Sequence, residues 1–438
     1  ELLNRFVSFY SNASYTYDDK YVLSGSIRWD RSNLWGTNSK YQNKPLWSVG
    51  GSWNIYKEKF FQADFVDMLK LRASYGIGGN IGRNTAPYLI ASYYDSSLVD
   101  GMAGSVNTPP NKDIRWEKTT TVNVGVDFAL FRHRLSGTIE YYNKYSVDLL
   151  AAINGSPTQG FGYTTLMTNN GKMVNRGVEI TLSGEIIRQK DFSWNASLLY
   201  AFNRNKVKHI SVQPSLWDSR ISMPASYPMV GKPLYGIYAY KWAGLNENGD
   251  PQVYDAENNV TSGPARDYHA LVYCGTTVPI HNASLTNVLR YKGFEFSAML
   301  ILDAGHKLRS SNIPSINMSN GRITSTAKGI VDRWTQPGDV TDVPRLLFSN
   351  DTENFNTHRT ELYRYSDLFV YDASNIRLSN ISLAYRVPAH WCKKISLSGA
   401  RLQFNVENVA TFAFDSKANY DLGGKVKPNY VWGLYLNF

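Results

Sequence analysis

Long apolar runs are absent from this sequence, which excludes one class of membrane protein. No stretch approaches the roughly eighteen apolar residues that a transmembrane helix needs. The longest apolar patch, residues 298–302, has only the length of a strand. The chain opens at Glu1 without the basic and apolar segments of a secretory signal peptide. We therefore expect neither a spanning helix nor a signal peptide in the sequence as given.

Cysteine is scarce, and residues with the spacing of metal or catalytic motifs are missing. The two cysteines, Cys274 and Cys392, are too few for a disulfide framework and show no CxxC spacing. The seven histidines show no HxxxH or HExxH spacing, and no GxSxG motif occurs. The sequence therefore predicts no metal site, no cofactor and no catalytic residue, so we expect a protein that is not an enzyme.

Two short motifs resemble ligand-binding loops but fit simpler interpretations. In residues 76–82 the third glycine position of GxGxxG is Ile81, and no helix-forming segment follows, which excludes dinucleotide binding. Residues 246–250 (NENGD) resemble a calcium loop that lacks its closing bidentate Glu. A tight hairpin at Asn248-Gly249 is favoured, with a metal loop as the less favoured alternative.

The net charge of +10 is not concentrated in any basic block or helix. It would permit an anionic partner such as lipopolysaccharide. Because the Lys and Arg residues are scattered singly, however, we expect no nucleic-acid partner.

Aromatic residues are plentiful, and the last nine residues show how they are used. Aromatics make up 14% of the chain, with 30 Tyr and 11 Trp. At the C-terminus a period of two places five apolar side chains on one face of a strand: Tyr430, Trp432, Leu434, Leu436 and Phe438. A transmembrane β-strand of about nine to eleven residues needs such a row facing lipid. A core strand of a soluble β-protein is the alternative interpretation of this stretch alone.

The same alternation recurs along the whole chain and predicts about thirteen strands. A change of apolar parity between Leu378 and Ile381 predicts a β-bulge in the eleventh. The strands are predicted at Arg5–Tyr17, Tyr21–Asp30, Trp47–Tyr56, Met68–Gly76, Val122–Leu130, Leu135–Tyr142, Val178–Ile186, Phe192–Phe202, Ala283–Tyr291, Phe294–Ile301, Asn375–Tyr385, Leu402–Glu407 and Tyr430–Phe438.

Short and long connections between these strands alternate. This asymmetry is typical of an outer-membrane barrel, which has short periplasmic turns and long extracellular loops. The short connections include residues 131–134, 188–191 and 292–293. The predicted extracellular loops lie near residues 31–45, 79–116, 148–174, 204–280, 305–372 and 411–428. The predicted fold is therefore an all-β, antiparallel transmembrane β-barrel.

An odd number of antiparallel strands cannot close on itself without one parallel junction, whereas single-chain bacterial barrels have even counts. An open strand edge in lipid would leave backbone groups without hydrogen-bond partners. We therefore expect the remaining strands of the barrel to lie on sequence outside this chain. By the same parity, Cys274 falls in an outer loop and Cys392 in an inner turn, so we expect that they do not pair.

Several stretches together resemble the C-terminal barrel of the SusC/RagA family of TonB-linked outer-membrane transporters. They follow one another in order along nearly the whole chain: LKLRASYGIGGN (residues 69–80), RWEKTTT (115–121), VGVD (124–127), GKMVNRGVE (171–179), YKWAGLN (240–246), NGDP (248–251), RWTQPGD (333–339) and VYDASNIRL (370–378).

The resemblance implies a barrel of about 22 strands, with an N-terminal plug and a TonB-contacting segment that are not in this chain. It also implies TonB-dependent import of an oligosaccharide or oligopeptide across the outer membrane of a Bacteroidetes-type bacterium, with a SusD-like surface lipoprotein as a lid. A passive porin or a surface adhesin built on a barrel is the alternative. A secreted soluble β-protein is a third possibility, which would have to pack its apolar faces together in water.

Loop aromatics are the candidate substrate-binding residues, because aromatic rings stack on sugar rings or contact peptide. The alternative for each is packing within the loops or against a lid protein. The candidates are Tyr93, Tyr94, Trp217, Tyr363 and Tyr365.

Overall fold

The computed structural model describes most of the chain, which divides into two compact units that we treat separately. The described residues are 5–34, 36, 38, 41, 45–80, 82, 87–97, 101–155, 158, 165–214, 219–263, 267–318, 326–348, 357–423 and 427–438. Unit 1 comprises Glu1–Gln213, Met229–Pro233 and Ala283–Lys292, and unit 2 comprises Pro214–Pro228, Leu234–Asn282 and Gly293–Phe438.

Strands dominate the structure. In chain order they are β1 (Phe6–Tyr17), β2 (Tyr21–Ser32), β3 (Leu46–Asn54), β4 (Val66–Asn80), β5 (Ile90–Ser96), β6 (Gly101–Thr108), β7 (Glu117–Leu130), β8 (Leu135–Asn154), β9 (Thr165–Arg188), β10 (Phe192–His209), β11 (Gly236–Tyr240), β12 (Trp242–Leu245), β13 (Pro251–Tyr254), β14 (Val260–Thr261), β15 (Leu271–Thr276), β16 (His281–Tyr291), β17 (Phe294–Ala304), β18 (Lys307–Arg309), β19 (Asn317–Met318), β20 (Leu347–Phe348), β21 (Val370–Asp372), β22 (Asn375–Arg386), β23 (Gly399–Ala413) and β24 (Asn429–Asn437).

The helices are short. They are α1 (Ser219–Ser222), α2 (Thr357–Arg364), α3 (Ala389–Lys393) and α4 (Asn419–Leu422), and 3-10 turns occur at Ile55–Lys57, Tyr268–Ala270, Lys328–Asp332, Asp367–Phe369 and Ser416–Ala418. Among the described residues, no helix is both long and apolar enough to cross a membrane.

Thirteen long strands form one sheet, and they correspond one to one to the thirteen predicted strands. Their order is β1-β2-β3-β4-β7-β8-β9-β10-β16-β17-β22-β23-β24, so each long strand neighbours the next along the chain. The prediction of a large antiparallel sheet is confirmed, with the extensions noted below.

In unit 1 the register aligns apolar residues across neighbouring strands. Leu71 pairs with Val126, Val126 with Ile139, Ile139 with Ile180, and Ile180 with Tyr200. None of these five side chains is buried. An unburied apolar row running across five strands is the pattern of a sheet face that meets lipid rather than a protein core.

The strands β8 and β9 extend further than the alternation predicted. Residues 148–154 and 165–174, expected within a loop, belong to these strands. The register of the pair shifts on either side of Leu149, and Asp148 has a φ of 58°. This irregularity interrupts the period of two, which is why the sequence pattern ended before the hydrogen bonding does. The bulge predicted in the eleventh strand is confirmed, because the β22–β23 register shifts between Leu378 and Asn380.

In unit 2 the long connections fold into small sheets instead of open loops. Strand β11 pairs with β15, β12 with β13 and β13 with β14, and β18 pairs with β21. All five residues of β11 are buried. A local core of Ile316, Tyr363 and Phe369 is packed by Trp242 and Tyr371, among others. The connections of unit 2 therefore have a fixed shape of their own.

Both cysteines are free in the structure. Cys274 lies in β15 and the buried Cys392 lies in α3. Cys274 and Cys392 are therefore not bonded to each other in the structure, and their placement on opposite sides of a membrane stays a prediction.

Candidate functional site

A charged cluster lies on the polar face of the unit 1 sheet. Strand β4 supplies Arg72, β7 supplies Asp127 and β8 supplies Glu140. Arg72 Nε and Nη2 donate to the two Asp127 carboxylate oxygens at 2.7 and 3.0 Å, and Nη2 also donates to Glu140. The Thr138 hydroxyl donates to Asp127 at 3.0 Å. One guanidinium thus links three strands from the face opposite the apolar row.

A glycine lies at the centre of this cluster, where a side chain would crowd the ion pair. The register pairs Arg72 with Gly125 and Gly125 with Glu140, so the ion pair passes over the glycine. A Cβ at Gly125 would lie 3.2 Å from Arg72 Nη2 and 3.2 Å from Glu140 Cγ. The missing side chain therefore lets the guanidinium reach across a whole strand.

The polar face nearby is lined by small residues. An open depression of about 240 Å³ spans strands β2, β3, β4 and β7. Its lining includes Ser24, Ser52, Ser74, Lys70 and Asn123. Hydroxyl, amide and ammonium groups make this face suited to water, to a polar ligand or to a polar protein segment, and unsuited to lipid.

Aromatic rings form a belt at the end of unit 1 where its strands are joined by short links. Tyr17 stacks on Tyr21, Tyr21 on Trp53, and Trp53 meets Phe60, with ring centroids 6.2–6.5 Å apart. Glu58, in the β3–β4 link, accepts from the Tyr21 hydroxyl and from Trp53 Nε1. Rings with an apolar body and a hydrogen-bonded tip are typical of the membrane–water interface.

The predicted apolar row of the last strand lies on one exposed face of β24. Trp432 is 78% exposed, Leu434 62% and Phe438 92%, and Tyr430 and Leu436 are also exposed. On the same face, Leu402 pairs with Leu434 and Phe404 with Trp432, whose rings are 4.2 Å apart. From Tyr430 to Phe438 the row is about 26 Å long at ~3.3 Å per residue. That length matches the roughly 25 Å apolar band of outer-membrane barrels.

Two of the candidate loop aromatics lie on a separate hairpin formed by β5 and β6. Tyr93 is 72% exposed and Tyr94 is 53% exposed. Tyr93 pairs with Gly104, and a Cβ at Gly104 would lie 3.4–3.6 Å from the Tyr93 ring. The Tyr93 ring therefore lies beside a position without a side chain, and most of its surface is open.

The other three candidates differ from these two. Tyr363 is 1% exposed and meets Phe369 edge-on at 4.9 Å, so its assignment as a substrate contact is wrong in this structure: it is a core residue. Tyr365 is partly exposed, and the guanidinium of Arg309 lies 5.6 Å from its ring. Trp217 lies outside the described residues.

Sequence reasoning missed a charge cluster in unit 2 that includes one buried arginine. Asp250 accepts from Arg345 Nη2 at 2.9 Å and from Arg359 Nε at 2.6 Å. Arg359 is 3% exposed and also donates to Asn317 Oδ1 at 2.6 Å. Burial lowers the pKa of Arg359, and the Asp250 charge opposes that shift. No spacing in the sequence signals this cluster, because its residues come together from the 246–250 turn, from the segment before β20 and from α2, which are far apart in the chain.

The hairpin interpretation of residues 246–250 is confirmed. Leu245 pairs with Pro251. The side-chain oxygen Oδ1 of Asn246 accepts hydrogen bonds from the backbone N–H groups of Asn248 and Asp250. With Asp250 occupied by two arginines, the turn offers no set of free carboxylates. Within the described residues, no group of three or more His, Cys, Asp or Glu could hold a metal ion.

Comparison with known proteins shows a consistent likeness. A family model described as "TonB dependent receptor-like, beta-barrel" matches residues 4–409. TonB-dependent receptor P3 of Formosa agariphila is 26% identical over 98% of this chain, and TonB-dependent receptor SusC of Bacteroides thetaiotaomicron is 25% identical over 92%. Among solved structures, the RagAB peptide transporter matches 99% of the chain with a TM-score of 0.81 at 23% identity, which is a likeness of fold.

The chain spans less than half of the proteins it matches. It covers 43% of TonB-dependent receptor P3, 40% of SusC and 48% of the RagAB chain. The described strands and loops therefore correspond to one part of those longer proteins.

Proposed function

Because this chain belongs to the TonB dependent receptor-like β-barrel family and is an outer-membrane barrel portion, we propose that it serves TonB-dependent import of a bulky nutrient. The nutrient would be an oligosaccharide or an oligopeptide. The proposed partners are a SusD-like surface lipoprotein as a lid, the TonB complex, and a barrel-and-plug portion of the full-length protein.

The observation that supports import best is the folded state of the long links. The longest links, which join β4 to β7, β10 to β16 and β17 to β22, carry small sheets, and those of unit 2 share a buried core. A simple pore needs no folded structure at its mouth, whereas capture of a large ligand benefits from a preorganised surface. The polar face with Arg72, Asp127 and Glu140 supplies a wall that a polar nutrient can pass.

The test of import uses cells that produce the full-length protein with and without an active TonB complex. Labelled oligosaccharides and oligopeptides are offered, and uptake is measured together with surface binding. The proposal expects saturable uptake that disappears without TonB. Uptake that is equal in both strains would indicate a passive porin, and surface binding without uptake would indicate an adhesin.

Among the loop aromatics, Tyr93 is the candidate that the geometry favours for ligand contact. Its residue is 72% exposed, and the ring lies beside Gly104, which has no side chain to cover it. We expect Tyr93→Ala to weaken binding of the imported ligand by about fivefold, the equivalent of roughly 1 kcal/mol for one stacked ring. Tyr93→Phe, which keeps the ring, is expected to bind nearly as wild type does.

A matched control is Tyr291→Ala. Tyr291 is 53% exposed, but it lies at the short 292–293 turn, where no ligand contact is expected. Isothermal titration against the ligand identified by the uptake screen measures all three variants. Equal affinity of Tyr93→Ala and wild type would remove Tyr93 from the binding surface and leave the import proposal untouched.

A further inference from the structure

The link between β22 and β23 in unit 2 is a compact segment with a fixed orientation. Residues 387–398, here called the β22–β23 link, contain the short helix α3. Cys392 is 1% exposed and Leu397 8% exposed, and the Leu397 backbone N–H donates to the Cys392 carbonyl at 3.0 Å. The burial of Cys392 and Leu397 anchors the link, so the residues between and around them face outward.

The outward side of the link combines large apolar residues with lysines. Trp391 is 55% exposed and Ile395 is 67% exposed. Lys393 and Lys394 are exposed beside them. Exposure of large apolar side chains to water is unfavourable. The side chains of Trp391 and Ile395 are therefore expected to be covered by lipid or by another protein.

The charge of this segment has one sign. Arg386, Lys393 and Lys394 are basic, and residues 386–398 include no Asp or Glu. None of these three side chains has an ion-pair partner in the part of unit 2 that the structure describes. Two other short links carry acidic residues, Asp18 and Asp19 in the β1–β2 turn and Asp191 in the β9–β10 turn, whereas the turns at residues 131–134 and 292–293 are basic without Asp or Glu, as this link is. The link therefore favours an anionic surface.

Its position identifies that surface. The Ser398 backbone N–H donates to the Asn437 carbonyl at 2.8 Å, and the Ser398 hydroxyl donates to the Phe438 carbonyl at 3.3 Å. The link thus meets the end of the exposed apolar row of β24, where Phe438 is 92% exposed. A tryptophan and lysines at the end of a lipid-facing row lie at the level of the lipid headgroups.

We propose that the β22–β23 link binds anionic phospholipid in the leaflet that borders the short links. Trp391 and Ile395 insert at the boundary between headgroups and acyl chains, and Lys393 and Lys394 contact headgroup phosphates. A soluble protein partner would cover the apolar side chains as well, but the continuity with the β24 row favours lipid. The inference depends on membrane insertion and not on import.

The experiment uses the full-length protein in nanodiscs of equal parts phosphatidylglycerol and phosphatidylcholine. In one sample only the phosphatidylglycerol is brominated near its headgroup, and in the other only the phosphatidylcholine. The difference in fluorescence between wild type and Trp391→Phe isolates quenching of Trp391. We expect quenching to correspond to roughly thirtyfold local enrichment of phosphatidylglycerol, given about fivefold for each of the two lysines that attract the anionic lipid.

Two charge variants complete the test. Lys393→Gln combined with Lys394→Gln is expected to bring the enrichment to about one. The matched control combines Lys328→Gln with Lys427→Gln, two exposed lysines in long links of the same unit. It is expected to keep the enrichment. Heat-dependent mobility on gels verifies that each variant is folded.

Three results would overturn the proposal. If neither lipid quenches Trp391, the link lies away from the bilayer, as expected if a protein partner covers it. Equal quenching by both lipids in wild type would show no anionic preference. Loss of enrichment in the control variant would show that overall charge, and not this link, attracts the lipid.

Discussion

A single carboxylate, Asp250, holds two guanidinium groups in unit 2. Arg345 and Arg359 both donate to it, and Arg359 is almost fully buried. Arginine stays charged even when burial lowers its pKa, so two guanidinium charges share one carboxylate in this cluster. The remaining guanidinium donors are satisfied in part by neutral oxygens, such as the Arg345 carbonyl that accepts from Arg359 at 2.8 Å. Loss of the carboxylate would leave the buried Arg359 guanidinium and the partly exposed Arg345 guanidinium without the negative charge that they share.

We therefore predict that Asp250→Asn opens the folded links of unit 2. The expected loss is about 3 kcal/mol, as for other broken buried ion pairs. Hydrogen–deuterium exchange of β13 and α2 in the full-length protein should accelerate by roughly a hundredfold. Asp267→Asn is the control, because Asp267 pairs with His269 at an exposed position and Asn still accepts the backbone hydrogen bond. It should change stability by no more than about 1 kcal/mol. Similar exchange in the two variants would show that the buried cluster carries no special weight.

For the candidate site, the sequence predicted which residue types and which loops to consider, but not which of those residues are exposed. Composition and loop position selected Tyr93 and Tyr363 alike, since both are tyrosines in long links. Tertiary packing then buried Tyr363 against Phe369 and left Tyr93 on an open hairpin. No local pattern distinguishes the two, because the burial of Tyr363 depends on Ile316 and Trp242, which are distant in sequence.

At the scale of elements, the short β3–β4 link fixes the aromatic belt of unit 1. Glu58 accepts hydrogen bonds from Tyr21 and Trp53, and Lys20 Nζ lies 3.7 Å from its carboxylate. The hydrogen bond from Tyr21 is the largest of the causes that lower the pKa of Glu58 below its usual value of 4.5. Glu58 in this link therefore connects β2 and β3, because it accepts hydrogen bonds from the Tyr21 hydroxyl and from Trp53 Nε1.

A pH dependence follows from the direction of this shift. A carboxyl group whose pKa is lower in the folded than in the unfolded protein stabilises the fold. This contribution is complete above the unfolded-state pKa and is lost as the pH falls through the folded-state pKa. We predict that Glu58→Gln is less stable than wild type at pH 7, and that the difference shrinks as the pH falls below about 4.5. Thermal unfolding of the full-length protein in detergent across this pH range measures it. Glu257→Gln, at an exposed position, is the control. A constant difference between wild type and Glu58→Gln at every pH would contradict the assigned role.

Element existence was predictable and element length was not. Strict alternation identified all thirteen long strands, because one face of each is apolar and the other polar. It failed where bulges shift the register, as beside Leu149, since the bulge moves the apolar residues to the other parity. The small sheets of unit 2 were missed because strands of two to six residues are too short to show a period.

At the scale of the whole molecule, β1 carries an unusual surface. All twelve of its residues are exposed, and every one from Phe6 to Tyr17 pairs with β2. Along its other edge no strand lies among the described residues. Backbone groups on an open edge in lipid have no water to bond, so a further strand of the full-length protein would pair there.

We predict that β1 amides are protected in the full-length protein. Hydrogen–deuterium exchange in detergent or nanodiscs should show β1 exchanging as slowly as β2, which has strands on both sides. The β5–β6 hairpin, a separate two-stranded sheet, is the internal reference for rapid exchange. Exchange of β1 as fast as that hairpin would mean that its edge stays open.

The sequence by itself determined the fold class and the existence and order of the long strands. These features depend on local chemistry, namely the period of two within each strand and the turn residues between strands. Tertiary structure alone decided which aromatics are buried and which are open. It also decided that Gly125 lets Arg72 reach Glu140 and that Asp250 holds two arginines. The reason is physical: burial and charge pairing depend on residues that are distant in sequence, whose approach is set by strand register and by packing in the long links.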